Sequence, residues 1–137
     1  MLVAVGYASL QANTTGYQNV AMGADALRYN TTGGANTAFG FESLKSNTTP
    51  LYNTAIGYRA LLANTTGEKS TGVGSLALYS NTTGFRNSAF GHSSLNSNTT
   101  GNNNAANGYM ALTGNTTGVN NTAVGSLSGA TNSTGNS

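Results

Sequence analysis

The sequence has no cysteine and no tryptophan, a single proline, one histidine, and charge confined to five basic and three acidic residues. Without cysteine, neither a disulfide framework nor a thiolate metal site can form, and the redox compartment stays open. The basic residues Arg28, Lys45, Arg59, Lys69 and Arg86 are scattered against Asp25, Glu42 and Glu68. They make no clustered basic face able to displace counterions from phosphates, which argues against nucleic acid as a partner. The pI of about 9.1 reflects the scarcity of carboxylates rather than a basic surface. His92 has no copy-matched acid or serine, so a Ser-His-Asp arrangement is unsupported and the chain reads as non-enzymatic, with no catalytic residue, metal or cofactor. Calcium-binding β-roll repeats need an Asp in nearly every turn, and three acids do not supply it. No apolar run approaches the ~20 residues of a membrane helix. The opening Met1 to Gly6 is apolar but lacks the basic start and long hydrophobic run of a signal peptide, so no targeting signal is expected there and no membrane insertion by residues 1–137.

What is abundant is a repeat. Asn13, Asn30, Asn47, Asn64, Asn81, Asn98, Asn115 and Asn132 are evenly spaced at 17 residues, most followed by Thr-Thr-Gly. With that Asn as position 1, the unit is Asn-Thr-Thr-Gly-x-x-Asn-Thr-Ala-apolar-Gly-x-x-Ala/Ser-Leu-x-x. So strict a period implies one structural unit stacked on copies of itself. Residues 1–137 then form a single repeat domain of about eight coils. The expected object is a segment of a longer fibre or a filament subunit.

Position 11 is glycine throughout, as in Gly6, Gly23, Gly40, Gly57, Gly74, Gly91, Gly108 and Gly125. Such a glycine marks a bend with positive φ or a backbone approach too close for a Cβ. Position 10 is a large apolar slot (Val5, Met22, Phe39, Ile56, Val73, Phe90, Val124) broken once by Asn107. Position 15 is Leu10, Leu27, Leu44, Leu61, Leu78, Leu95 and Leu112, ending at Gly129. Glycine punctuation at this density rules out helices. Two short strands per unit are predicted instead, at positions 8 to 10 and at 13 to 16. The corners fall at Asn-Thr-Thr-Gly and at the position-11 glycine, where Asn and Gly tolerate left-handed backbone. Each coil should advance one strand spacing, ~4.8 Å, giving a rod on the order of 40 Å.

Position 9 is small throughout, Ala4 to Ala123 with Gly72, and lies on the opposite face of the strand from position 10. A strand apolar on both faces is normally covered on both. Two arrangements meet that pattern: the large residues stay partly exposed while alanine packs inward, or sister chains cover the second face, which suits a homotrimer.

The units Asn53-Thr54-Ala55-Ile56-Gly57-Tyr58-Arg59-Ala60-Leu61, Asn36 to Gly40 and Asn121 to Gly125 resemble the head repeats of YadA-like trimeric autotransporter adhesins. Similar Asn-Thr-Thr-Gly units resemble those of phage tail-fibre-like proteins. The resemblance implies a left-handed parallel β-roll, a homotrimer, an adhesive or fibre-forming role, and a place outside the cell or on a cell or virion surface. Family head repeats are shorter, and neither stalk nor anchor is present here. An adhesin would offer its variable aromatics, Tyr17, Tyr52, Tyr58, Phe85 and Tyr109, to a surface receptor or glycan.

The position-1 asparagines also form glycosylation sequons, at Asn13, Asn30, Asn64, Asn81, Asn98 and Asn115 among others. Glycans every ~4.8 Å along one edge would collide, which favours a structural ladder of stacked amides. Stacked threonines raise ice binding as an alternative function, although adjacent threonines of an extended segment point to opposite faces. Asn107 reads as a tolerated defect whose amide finds a backbone partner. Adjacent rungs bring Asp25 close to Glu42, with Arg59 expected to pair with Glu42. Met1 and Ser137 both fall at position 6, so Ser137 of one copy is in phase with Leu2 of the next and copies can continue end to end.

Overall fold

A computed structural model describes residues 1–135. The protein is an all-β parallel solenoid of about 17 residues per coil, without helix among the described residues. Eight three-residue strands, β1 (Val3–Val5), β2 (Val20–Met22), β3 (Thr37–Phe39), β4 (Thr54–Ile56), β5 (Thr71–Val73), β6 (Ser88–Phe90), β7 (Ala105–Asn107) and β8 (Thr122–Val124), form one sheet in sequence order. The register never slips: Ala21 lies over Ala38, Ala38 over Ala55, and Phe39 over Ile56.

The core is a thin column. Position 9 points inward, with Ala21, Ala38, Ala55 and Ala89 fully buried, against the equally buried Leu27, Leu44, Leu61, Leu78 and Leu95 of position 15 and the alanines of position 14. Position 10 points the other way and is half exposed, Phe39 at 52% and Phe90 at 44%. The large side chains are therefore outside and the small ones inside, because the coil's interior is only wide enough for one leucine per rung beside alanine.

The segment from position 13 to 16 is not a strand. Position 13 and position 15 both take left-handed backbone, for example Arg59 at φ 55° and Leu61 at φ 52°. The cause lies in the direction of the backbone groups. Arg59 N–H donates to Phe41 O of the preceding rung at 2.9 Å, Leu61 N–H to Ala77 O of the following rung at 2.9 Å, and Ala60 N–H to Gly57 O within its own rung at 3.3 Å. A left-handed residue costs roughly 1 kcal/mol outside glycine. Inter-rung bonding and a buried leucine offset it. Only Gly129, at φ 62°, meets this demand without strain.

The corners also differ from expectation. Position-11 glycines do have positive φ, 136° at Gly57, but neither the position-1 asparagines nor the position-4 glycines are left-handed. The third left-handed site is position 6, as at Gln18 and Lys69. At Gly16 the constraint is space: a Cβ would lie 2.3 Å from Asn13 Oδ1 and 2.5 Å from Gly33 O.

Candidate functional site

Two buried asparagine ladders hold the Asn-Thr-Thr-Gly edge. At position 1, each amide donates from Nδ2 to Oδ1 of the asparagine one rung earlier: Asn30 to Asn13 at 2.9 Å, Asn47 to Asn30 at 3.0 Å, Asn64 to Asn47 at 3.1 Å, and so on through Asn81, Asn98 and Asn115. Most of these amides also donate to the carbonyl of their own position-4 residue, as Asn64 does to Gly67 O at 2.9 Å. At position 7 the side chain caps the following rung. Asn36 Oδ1 accepts from Asn53 N–H at 2.9 Å, and Asn36 Nδ2 donates to Pro50 O at 2.9 Å. Among the described residues no buried side-chain nitrogen or oxygen lacks a partner. Asn30, Asn64, Asn81, Asn98 and Asn115 are fully buried, and their amide nitrogens are engaged in these bonds. A glycan on such a nitrogen would replace one of its two hydrogens, so one of these two buried bonds would be lost.

The Thr-Thr pair divides its work. Position-2 hydroxyls donate to the position-2 carbonyl of the next rung, Thr65 Oγ1 to Thr82 O at 3.1 Å. Position-3 threonines stay exposed in a single row.

Five of the eight charges form one ladder. Lys45 bridges Glu42, at 2.5 Å, and Asp25, at 3.2 Å; Arg28 contacts Asp25 at 3.3 Å and Arg59 contacts Glu42 at 2.7 Å. Asp25 and Glu42 thus share a cation instead of facing each other bare. The hydrogen bond from the Lys45 ammonium, seconded by Arg59, holds the Glu42 carboxyl below its ordinary value, and Glu42 raises Lys45 in return. A carboxyl depressed on folding contributes stability above its unfolded value and loses it as pH falls through the lowered one. The thermal midpoint should accordingly fall by roughly 2 °C on acidification through the carboxylate range, the size expected of a surface ion pair. Glu42→Gln should flatten that pH dependence in thermal melts, and an unchanged slope would remove Glu42 as its source.

The outer face carries the remaining chemistry. Val5, Phe39, Ile56, Phe90 and Val124 are exposed along the position-10 row, and Tyr7, Phe41, Tyr58 and Tyr109 along position 12, just past the glycine bend. Phe41 stacks on Tyr58 and His92 on Tyr109, each with centroids 5.6 Å apart. Asn107 interrupts the first row and is exposed. Its amide makes no hydrogen bond within the described protein, so the backbone partner expected for it is absent.

Tyr17, Tyr52 and Phe85 are exposed before the strand rather than after it, so the structure does not gather the variable aromatics into one surface. The position-10 row and the left-handed sites at 6, 13 and 15 are the features that sequence reasoning did not place. The first was open because strand parity says that 9 and 10 oppose, not which is inside. The described residues contain no cluster of His, Cys, Asp or Glu able to hold a metal ion, and no helix long and apolar enough to cross a membrane. No protein-family model, curated protein or solved structure matches the chain.

Proposed function

We propose that this chain is a non-enzymatic structural segment of a fibre or adhesin, a left-handed roll that assembles with its own copies around a three-fold axis. One observation carries the reading. Large apolar residues line the outside of the rod from Val5 to Phe90 and again at Val124, broken only by Asn107 among the described residues, one residue from a row of small residues that is buried from Ala21 to Ala123. A contiguous apolar strip, unlike scattered exposed side chains, marks an interaction surface. The position-10 and position-12 rows flank the same bend, so each copy can offer one row to one neighbour and the other row to a second. Such a head-to-tail contact closes as a ring.

Along the axis, β1 and β8 are each paired on one side only. An open parallel edge with the same register as its own far end is a template for another copy. Joining β8 of one chain to β1 of the next extends the rod into a filament. Ser137, which would lead into Leu2 of that next copy, lies outside the described residues. A fibre of this kind acts at a cell or virion surface, where the exposed aromatics outside the two rows, Tyr17, Tyr52 and Phe85, meet a receptor.

Cross-linking followed by mass measurement tests the assembly. Three chains are expected, and the double variant Phe39→Ser with Phe90→Ser should give single chains with an unchanged circular dichroism spectrum. A wild-type protein that stays monomeric at high concentration would remove the proposal. Ice binding is the second reading, favoured by the exposed position-3 threonine row. It is the weaker one because the neighbouring hydroxyl row is spent on backbone carbonyls.

A further inference from the structure

Three charged side chains stand outside the ion-pair ladder, Glu68, Lys69 and Arg86, and they lie together. None makes an ion pair among the described residues, where the only such contacts join Asp25, Arg28, Glu42, Lys45 and Arg59. With Thr66, Thr83 and Phe85 they line a surface groove of about 310 Å³. No other rung has a charged side chain at position 5 or 6, so the groove is a local departure from the repeat.

The backbone beneath it is fixed. Lys69 and Arg86 both occupy the left-handed position 6, at φ 57° and 55°. Lys69 N–H donates to Leu51 O at 3.1 Å, Arg86 N–H to Glu68 O at 3.0 Å, and Phe85 N–H to Asn102 Oδ1 at 2.9 Å. Two cations therefore rise from neighbouring rungs, ~4.8 Å apart at the backbone. The Arg86 guanidinium carbon sits 5.6 Å from the Phe85 ring centroid.

Each group asks something different of a ligand. Arg86 and Lys69 call for an anion, and a planar guanidinium matches a carboxylate. Glu68 accepts hydrogen bonds only and repels a second negative charge, so the ligand carries hydroxyl donors and a single acid group. The Thr66 and Thr83 hydroxyls make no hydrogen bond within the described protein and are free to donate or accept. The Phe85 ring offers a flat apolar face to C–H groups. A volume near 300 Å³ is at the small end of ligand sites. A phosphate polyanion would set charge against Glu68, and a neutral sugar would leave both cations unanswered.

We propose that this groove binds a carboxylate-bearing monosaccharide unit of an acidic glycan. The carboxylate meets Arg86 and Lys69, the ring rests on Phe85, and ring hydroxyls reach Glu68 and the two threonines. The site shares no residue with the position-10 row, so binding stands or falls separately from assembly and should persist in the Phe39→Ser, Phe90→Ser protein.

Titration of the full chain with glucuronate and with N-acetylneuraminate, followed by amide chemical shifts, is the test. Saturable binding is expected for at least one of them, with shifts confined to residues 66–86, and the tighter of the two names the source of the acid. Glucose and acetate should each bind at least about tenfold more weakly. Arg86→Ala, Lys69→Ala and Phe85→Ala should each weaken binding about tenfold with unaltered thermal melts, since all three side chains reach solvent. Equal binding of acetate would reduce the groove to a simple anion site and overturn the proposal. So would equal binding of glucose, shifts centred elsewhere, or no saturation with either acid.

Discussion

Gly57→Ala is expected to destabilise the protein by about 4 kcal/mol or more, whereas Gly125→Ala, at the same position of the β8 rung, should cost only about 1–2 kcal/mol in chains that are not stacked end to end. Both glycines have positive φ, 136° and 117°. The difference is what lies above them. A Cβ on Gly57 would sit 2.6 Å from both the carbonyl carbon and the oxygen of Gly74, and one on Gly125 meets nothing within 4 Å. The clash cannot be relieved by spreading the rungs, because Gly57 N–H donates to Phe39 O at 2.7 Å and Gly74 N–H to Ile56 O at 2.8 Å. Urea unfolding of the two variants separates backbone conformation from inter-rung contact. Equal losses would assign the whole constraint to φ.

Asn64→Asp should cost about 3–5 kcal/mol at neutral pH, despite conserving shape. Asn64 Nδ2 donates to Asn47 Oδ1 at 3.1 Å and to Gly67 O at 2.9 Å, while its Oδ1 accepts from Asn81 at 2.9 Å. The substitution puts a second oxygen, charged and fully buried, against two acceptors. Burial and those acceptors raise the folded-state pKa of the new carboxyl above its unfolded value. The variant therefore regains stability as pH falls, once protonation turns one oxygen back into a donor. Asn13→Asp, at the half-buried first rung, should lose less. Thermal melts at neutral and acid pH check both statements, and a pH-independent loss at Asn64 would mean that the ladder is held by packing rather than by amide polarity.

Much of the architecture was legible because it is periodic. Glycine at every position 11, a small residue at every 9 and leucine at 15 up to Leu112 are enough to give the coil length, the stacking and the strand at 8 to 10. That positions 13 to 16 form no second strand is not visible in the residue types. Arg59 and Leu61 have no preference for left-handed backbone, and only the need of their N–H groups to reach opposite neighbours imposes it. The position-4 glycines are not left-handed turn residues but spacers, kept small by Asn Oδ1 and by the rung above, with Pro50 the exception. The groove at Glu68, Lys69 and Arg86 was hidden differently. Its charges looked scattered in sequence, and one 17-residue step brings Lys69 beside Arg86.

The uniform register has a consequence for how the chain reaches this state. Parallel sheets ordinarily fold slowly, since each pairing waits on a long crossover whose closure entropy precedes any reward. Here the rung-to-rung side-chain and strand pairings join residues 17 apart in a chain of 137, a separation of about 0.12 of the chain length, short beside the pairings of all-β sandwiches. Every closure is the same size, so a nucleus formed at any pair of coils grows in either direction by identical steps. Lengthening such a rod adds steps without adding a harder one, which lets a long solenoid be made from a short instruction.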